Sequence, residues 1–299
     1  MTSERAAQIR LALPMAAQQL GFQLMGTVDA ALLGRYDEAA LAAAGVGNNL
    51  LFAITSVGFG IVMGLDTVLP QALGAQRRDA ARRSLGAGLR LATLIGLACT
   101  LVALAAPEVL VLAGVPDEVA RDARRYVDLR AIGIAPFLVS IALKSYLAAH
   151  DITRPLIVAV VLGNLANALL DLVLIYGAGP IPALGVAGAA IATVSVQLAI
   201  TVIYYAAVRG VDEQSEAMRG GAPAGSAGGA GGKAPRGNTG GAPRPASTRA
   251  DLVEILRYGL PVGGHMLAEI GIFGVATVLA AHMGTVPAAA HAIALNLAS

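Results

Sequence analysis

Long uncharged stretches alternate with short charged interruptions along the whole chain. No Asp, Glu, Lys or Arg occurs from Leu11 to Val28, Ala39 to Leu65, Leu91 to Pro107, Pro155 to Leu170, Leu172 to Val208, or Ile270 to Ser299. A helix crosses the hydrocarbon of a bilayer in about 20 mostly apolar residues. At that length the pattern predicts spans at about 9–33, 41–73, 84–106, 126–149, 155–177, 185–208 and 253–282, with an eighth beginning near 287. The fourth span carries Arg130 and Lys144, whose long side chains are expected to snorkel toward opposite interfaces. The fold class expected is therefore all-α, a polytopic helical bundle whose solvent is the lipid bilayer.

Composition sharpens this reading. Charged residues make up 13% of the 299 and hydrophobic ones 56%, and the mean hydropathy is +0.69. A soluble domain devotes about 25% of its residues to charge, so roughly half of the usual solvating surface is missing. A net charge of +2 gives no reason to expect a nucleic-acid partner. The single cysteine, Cys99, excludes an intrachain disulfide and any cysteine-based metal spacing. No phosphate-binding loop, nucleophile elbow or His-Glu-x-x-His motif occurs, so neither an enzyme nor an ATP-driven pump is expected, and no bound cofactor or metal.

Orientation follows from Lys and Arg in the loops. With the N-terminus inside, the inner loops hold Arg77, Arg78, Arg82, Arg83, Arg154, Arg209, Arg219, Lys233, Arg236, Arg244, Arg249 and Arg257. The outer loops hold Arg35 and a group of three, Arg121, Arg124 and Arg125, that runs against the rule. A multi-pass protein of the cell inner membrane with a cytoplasmic N-terminus is expected. Arg5 and Arg10 before an apolar stretch resemble a signal peptide, but Gln18, Gln19, Gln23 and Asp29 interrupt that stretch. It reads as an uncleaved first helix.

Residues 209–250 differ in kind, being rich in Gly, Ala, Pro and Ser, and are expected to form a flexible cytoplasmic linker. At an offset of 247, Leu13-Pro14 matches Leu260-Pro261, Leu20 matches Leu267, Val28 matches Val275, and Asn49-Leu50 matches Asn296-Leu297. Internal repeats with the substrate site at their interface are a common plan of secondary transporters. The organisation expected is a six-helix lobe over 1–208, the linker over 209–250, and over 251–299 the first two helices of a repeated second lobe.

Ionisable groups inside spans mark ion or substrate paths by default. Asp29 lies five residues before Gly34 and Asp171 six before Gly177, which places them about 7.5 and 9 Å below the same face. Two carboxylates at one depth either share a proton or a cation, or each hydrates separately near the interface. Asn167 precedes Asp171 by four residues and Asn164 lies one turn lower, a polar stripe on one helix face. In the seventh span His265 and Glu269 are also four apart. They either relay a proton or bind a cationic substrate, or satisfy one another.

The segments LPMAAQQLGFQLMGTVDAALLGRY, GLDTVLPQALGAQRRDAARRSLGAG, LKSYLAAHDITRP, NALLDLVLIYGAGPIPALGVAGAAIATV and LPVGGHMLAEIGIFGVATVLAAHMG, with the closing HAIALN, resemble in order the multidrug and toxic compound extrusion (MATE) family. The most specific are QALGA at 71–75, GVAGAA at 185–190 and HAIALN at 291–296. The resemblance implies a twelve-helix, two-lobe antiporter that expels small organic, often cationic compounds in exchange for Na⁺ or H⁺. It also implies that Asp29, Asn167 and Asp171 form a cation site, that Tyr126 and Thr193 surround it, and that Glu269 is an acidic group for ion or drug. The family pattern needs about four more helices than this chain carries. A missing second lobe, a partner chain, or a remnant that inserts without transporting would each account for that. A flippase for lipid-linked saccharides is a further alternative, against which stands the acidic character of the intramembrane charges.

Overall fold

The computed structural model describes residues 20–21, 23–108, 117–220 and 248–282. The start of the first span, the centre of the linker and the eighth span lie outside them. Nine helices are described. They are α1 (23–36, with 20–21 also helical), α2 (Glu38–Val62), α3 (Leu65–Gly74), α4 (Arg78–Ala105), α5 (Asp117–Ala131), α6 (Ile134–Ala149), α7 (Arg154–Tyr176), α8 (Val186–Gly220) and α9 (Thr248–His282). Among the described residues four helical stretches are long and apolar enough to cross a membrane, or five if α5 and α6 count as one bent span.

Local chemistry sets most boundaries. Asp37, in extended backbone, caps α2 by accepting the Ala40 N–H at 3.0 Å, which separates it from α1. The second expected span is continuous in direction but interrupted at Met63–Gly64. The fourth, expected as a span at about 126–149, is a pair of helices bent by 45° between Ala131 and Ile134. Pro136 has no N–H to return to the preceding turn, and the carbonyl of Ala131 accepts the Thr100 hydroxyl at 3.0 Å. The carbonyl of Pro136 is met by the Thr201 hydroxyl at 3.1 Å. Thr100 of α4 thus meets a carbonyl at the open end of α5, and Thr201 ties α8 to the first turn of α6.

Two helices outrun their expected spans. α4 begins at Arg78 rather than 84, and α8 continues past 208 to Gly220, because strong helix formers such as Ala, Arg, Glu, Gln and Met flank the apolar cores. The expected linker is therefore helical at both ends, over 209–220 and 248–250.

The outward faces are apolar. Leu94, Leu97 and Leu101 on α4 and Val161, Leu165 and Leu169 on α7 are all exposed, as expected where hydrocarbon replaces water. Inside, one apolar cluster gathers Leu65, Leu69, Leu138, Leu143, Tyr146 and Ile200. A second gathers Leu33, Leu51, Tyr126, Val127 and Ile175. α9 packs on α2 through paired glycines. A Cβ on Gly60 would lie 2.5 Å from Gly263 Cα, one on Gly64 would lie 2.5 Å from the Ile255 carbonyl oxygen, and one on Gly259 would enter the Ile61 carbonyl. Small residues four apart let two helix backbones touch where no hydrophobic force draws them together. Beside this seam, Arg83 of α4 reaches Asp251 of α9 at 3.9 Å.

Candidate functional site

Helical spacing delivers polar residues from several helices, two of them from α7, to the region between the two apolar clusters. On α1 the inward face reads Met25, Asp29, Leu33, with Met25 in the first cluster and Leu33 in the second. On α7 it reads Ala159, Gly163, Asn167, Asp171, Ile175, with Ala159 in the first cluster and Ile175 in the second. On α8 Ala189 belongs to the second cluster and Val196 to the first, with Thr193 between. Tyr126 of α5 closes the site from the second cluster.

The geometry joins these side chains. The Thr193 hydroxyl lies 3.0 Å from Asp29 Oδ2 and 2.9 Å from the Ala189 carbonyl. It has one proton, so donating to the carboxylate means releasing its own helix. Asn167 and Asp171 are 0% exposed. Asp29 and Arg130 are both within electrostatic reach of Asp171, and the two aspartates and Arg130 are within reach of Tyr126. At the upper end the Tyr176 hydroxyl donates to the Leu32 carbonyl at 2.8 Å, and the Tyr36 and Tyr176 rings meet edge to face at 5.8 Å. These contacts hold α1 against α7.

What this cluster lacks is internal satisfaction. Asp29 Oδ1, both carboxylate oxygens of Asp171, both amide atoms of Asn167 and Asn164 Oδ1 are buried with no hydrogen-bond partner among the described residues. Orphaned buried polar atoms are costly. Five of these six are oxygens, the donor set that a hard cation or a shared proton demands. Na⁺ or H⁺ here would be cargo rather than a resident cofactor, and the residues present fit it.

The five residues expected around one cation, Asp29, Asn167, Asp171, Tyr126 and Thr193, are thus brought together. His265 and Glu269 are not part of that cluster. They face each other on α9 at 4.0 Å, with side chains 76% and 49% exposed. Arg130, expected at an interface, instead lies half-buried with its guanidinium 5.7 Å from the centre of the Tyr126 ring. The sequence marks it only as a cation inside an apolar span.

Comparison with known proteins adds to this picture. The MatE family model matches residues 14–173, more than half of the chain. Among relatives, the probable multidrug resistance protein NorM of Bradyrhizobium diazoefficiens is 31% identical over 99% of this chain and 59% of its own length. The protein of the same description from Rhodopseudomonas palustris is 33% identical over 97% of this chain and 56% of its own. Among solved structures, the eukaryotic MATE transporter AtDTX14 superposes with a TM-score of 0.78 at 18% identity, covering 99% of this chain and 60% of that one. A MOP superfamily transporter from Pyrococcus furiosus gives 0.76 at 20% identity, covering 97% and 59%; at such identities these likenesses establish fold. The chain thus spans a little under three fifths of the length of the first curated relatives it matches. By the family model over more than half its residues, and by a helical fold shared with MATE transporters, the chain belongs to the MatE family.

Proposed function

We infer that the chain serves a secondary active transporter that exports small organic, often cationic compounds in antiport with Na⁺ or H⁺. It does so from the inner membrane, with its N-terminus in the cytoplasm. The observation that carries this reading is the enclosed pair Asp29 and Asp171, with Asn167 and Thr193, at one level between two apolar clusters. Two carboxylates desolvated side by side repel unless a positive ion is present. Loading that ion neutralises the gap and lets α1 settle against α7 and α8. Unloading it restores the repulsion and shifts α1. A drug site that feels the position of α1 then has its affinity set by the ion, and by linkage the drug sets the affinity for the ion to the same degree.

In this reading residues 1–208 form the first lobe and α9 opens a second one. The family plan completes that lobe with further helices, supplied by a longer chain or a partner. Glu269 and His265 belong to that second lobe as a separate acceptor for substrate or proton. The test is efflux of a fluorescent organic cation from cells expressing the chain, under an imposed Na⁺ or H⁺ gradient. Gradient-driven efflux that is lost in Asp171→Asn supports the reading. Efflux indifferent to both gradients, or unchanged in both Asp29→Asn and Asp171→Asn, overturns it.

A further inference from the structure

The arginine group on α5 sits where loop-charge statistics disfavour it, and its surroundings account for it. Arg121, Arg124, Arg125, Asp128 and Leu129 follow the i, i+3, i+4, i+7, i+8 spacing of one helical face. They line a groove of about 380 Å³ between α5 and the start of α8. That volume falls in the range of roughly 300–1,000 Å³ typical of small-molecule sites. The other wall is apolar, made by Leu184, Ala187 and Ile191.

The groove has a charged wall and an apolar one. Its lining holds three guanidinium groups against the single carboxylate of Asp128. Asp128 is itself engaged by Arg124 at 3.9 Å, and Arg124 also donates to Glu108 at 3.0 Å. Ala187 lies in the first turn of α8, the end where a helix dipole presents partial positive charge. From Ile191 the exposed surface of α8 continues past Ser195, whose hydroxyl is turned back to the Ile191 carbonyl, to Leu198 and Val202, a mostly apolar track leading away from the arginines along the helix. A cationic mouth above an apolar track matches an amphiphile with an anionic head.

We propose that this groove binds an anionic glycerophospholipid, its phosphate held by Arg121 and Arg125 and its acyl chains laid along Ile191, Leu198 and Val202. Free inorganic phosphate shares the head chemistry but cannot use the track, and so is not the occupant. On the orientation inferred above, the lipid comes from the outer leaflet. The binding itself rests on neither transport nor the Asp29–Asp171 site.

The experiment is native mass spectrometry of the chain released from micelles containing phosphatidylglycerol or phosphatidylcholine. Retained phosphatidylglycerol should exceed phosphatidylcholine. The double variant Arg121→Gln/Arg125→Gln should cut its retention roughly tenfold, whereas Arg121→Lys/Arg125→Lys should keep most of it. Arg77→Gln/Arg78→Gln at the other face, and Asp171→Asn in the site, should leave retention unchanged. Equal retention of the two lipids, no loss in the Gln double variant, or an equal loss in the Arg77/Arg78 variant overturns the proposal. So does displacement of the lipid by millimolar inorganic phosphate, which would mean an anion site without a lipid track.

Discussion

Asp171 and Glu269 are both carboxylates set in long apolar helices, and each has a polar partner four residues before it. Asp171 is fully enclosed and lies beside a second aspartate, Asp29 of α1, which in turn meets the Thr193 hydroxyl of α8. Glu269 is half-exposed and, among the described residues, meets His265 of its own helix at 4.0 Å. The same sequence signal therefore has two structural outcomes. What separates them is convergence: only where several helices each aim a polar group at one level does burial make a carboxylate sensitive to a bound ion. Glu269, set beside a histidine of its own helix, has no such convergence among the described residues.

Mutations can press on that difference. Asp171→Asn, which keeps shape and removes charge, should lower gradient-driven efflux by roughly ten- to hundredfold, the scale of a lost coupling free energy. An effect of that size from Glu269→Gln and not from Asp171→Asn would reverse the comparison. Next in size, Thr193→Val removes the hydroxyl that touches Asp29 Oδ2 at 3.0 Å. A lost hydrogen bond to a charged group should shift coupling-ion affinity by roughly tenfold, upward for H⁺ because the ionised carboxylate loses its donor, read as a shift in the half-saturating Na⁺ or H⁺ concentration with little change in maximal rate. Gly259→Val places a side chain into the Ile61 carbonyl. It should lower the melting temperature of the detergent-solubilised chain by displacing α9, while ion binding by the first-lobe cluster persists; loss of both together would show that the two regions fold as one unit. Smallest of all, Glu269→Gln should change ion binding at the first-lobe cluster by less than about twofold.

Much of this was legible in the residues. Uncharged runs of bilayer length located the helices, and a carboxylate inside such a run is conspicuous because it is expensive. Asp29 and Asp171 announced themselves in that way, and Asn167 followed from helical spacing. The bend between α5 and α6 was not legible, although Gly133 and Pro136 stand there, because a proline in a membrane helix breaks it only where neighbours accept the freed carbonyls. Here Thr100, distant in sequence, does so at the Ala131 carbonyl. The polar extension of α8 to Gly220 was hidden for the opposite reason: its residues favour helix but carry no apolar periodicity. Arg130 was visible as a charge, but its place against Tyr126 depends on how α5 turns at the bend. Thr193 has no signal of its own in an apolar run; only the resemblance to a family singled it out.

The most direct test is the count of coupling ions bound by the purified chain, by calorimetric Na⁺ titration and by proton uptake on acidification. One saturable cation per chain is expected in the wild type, abolished alike by Asp29→Asn and by Asp171→Asn and retained in Glu269→Gln. A stoichiometry that survives both aspartate substitutions, or that disappears only with Glu269, would contradict it.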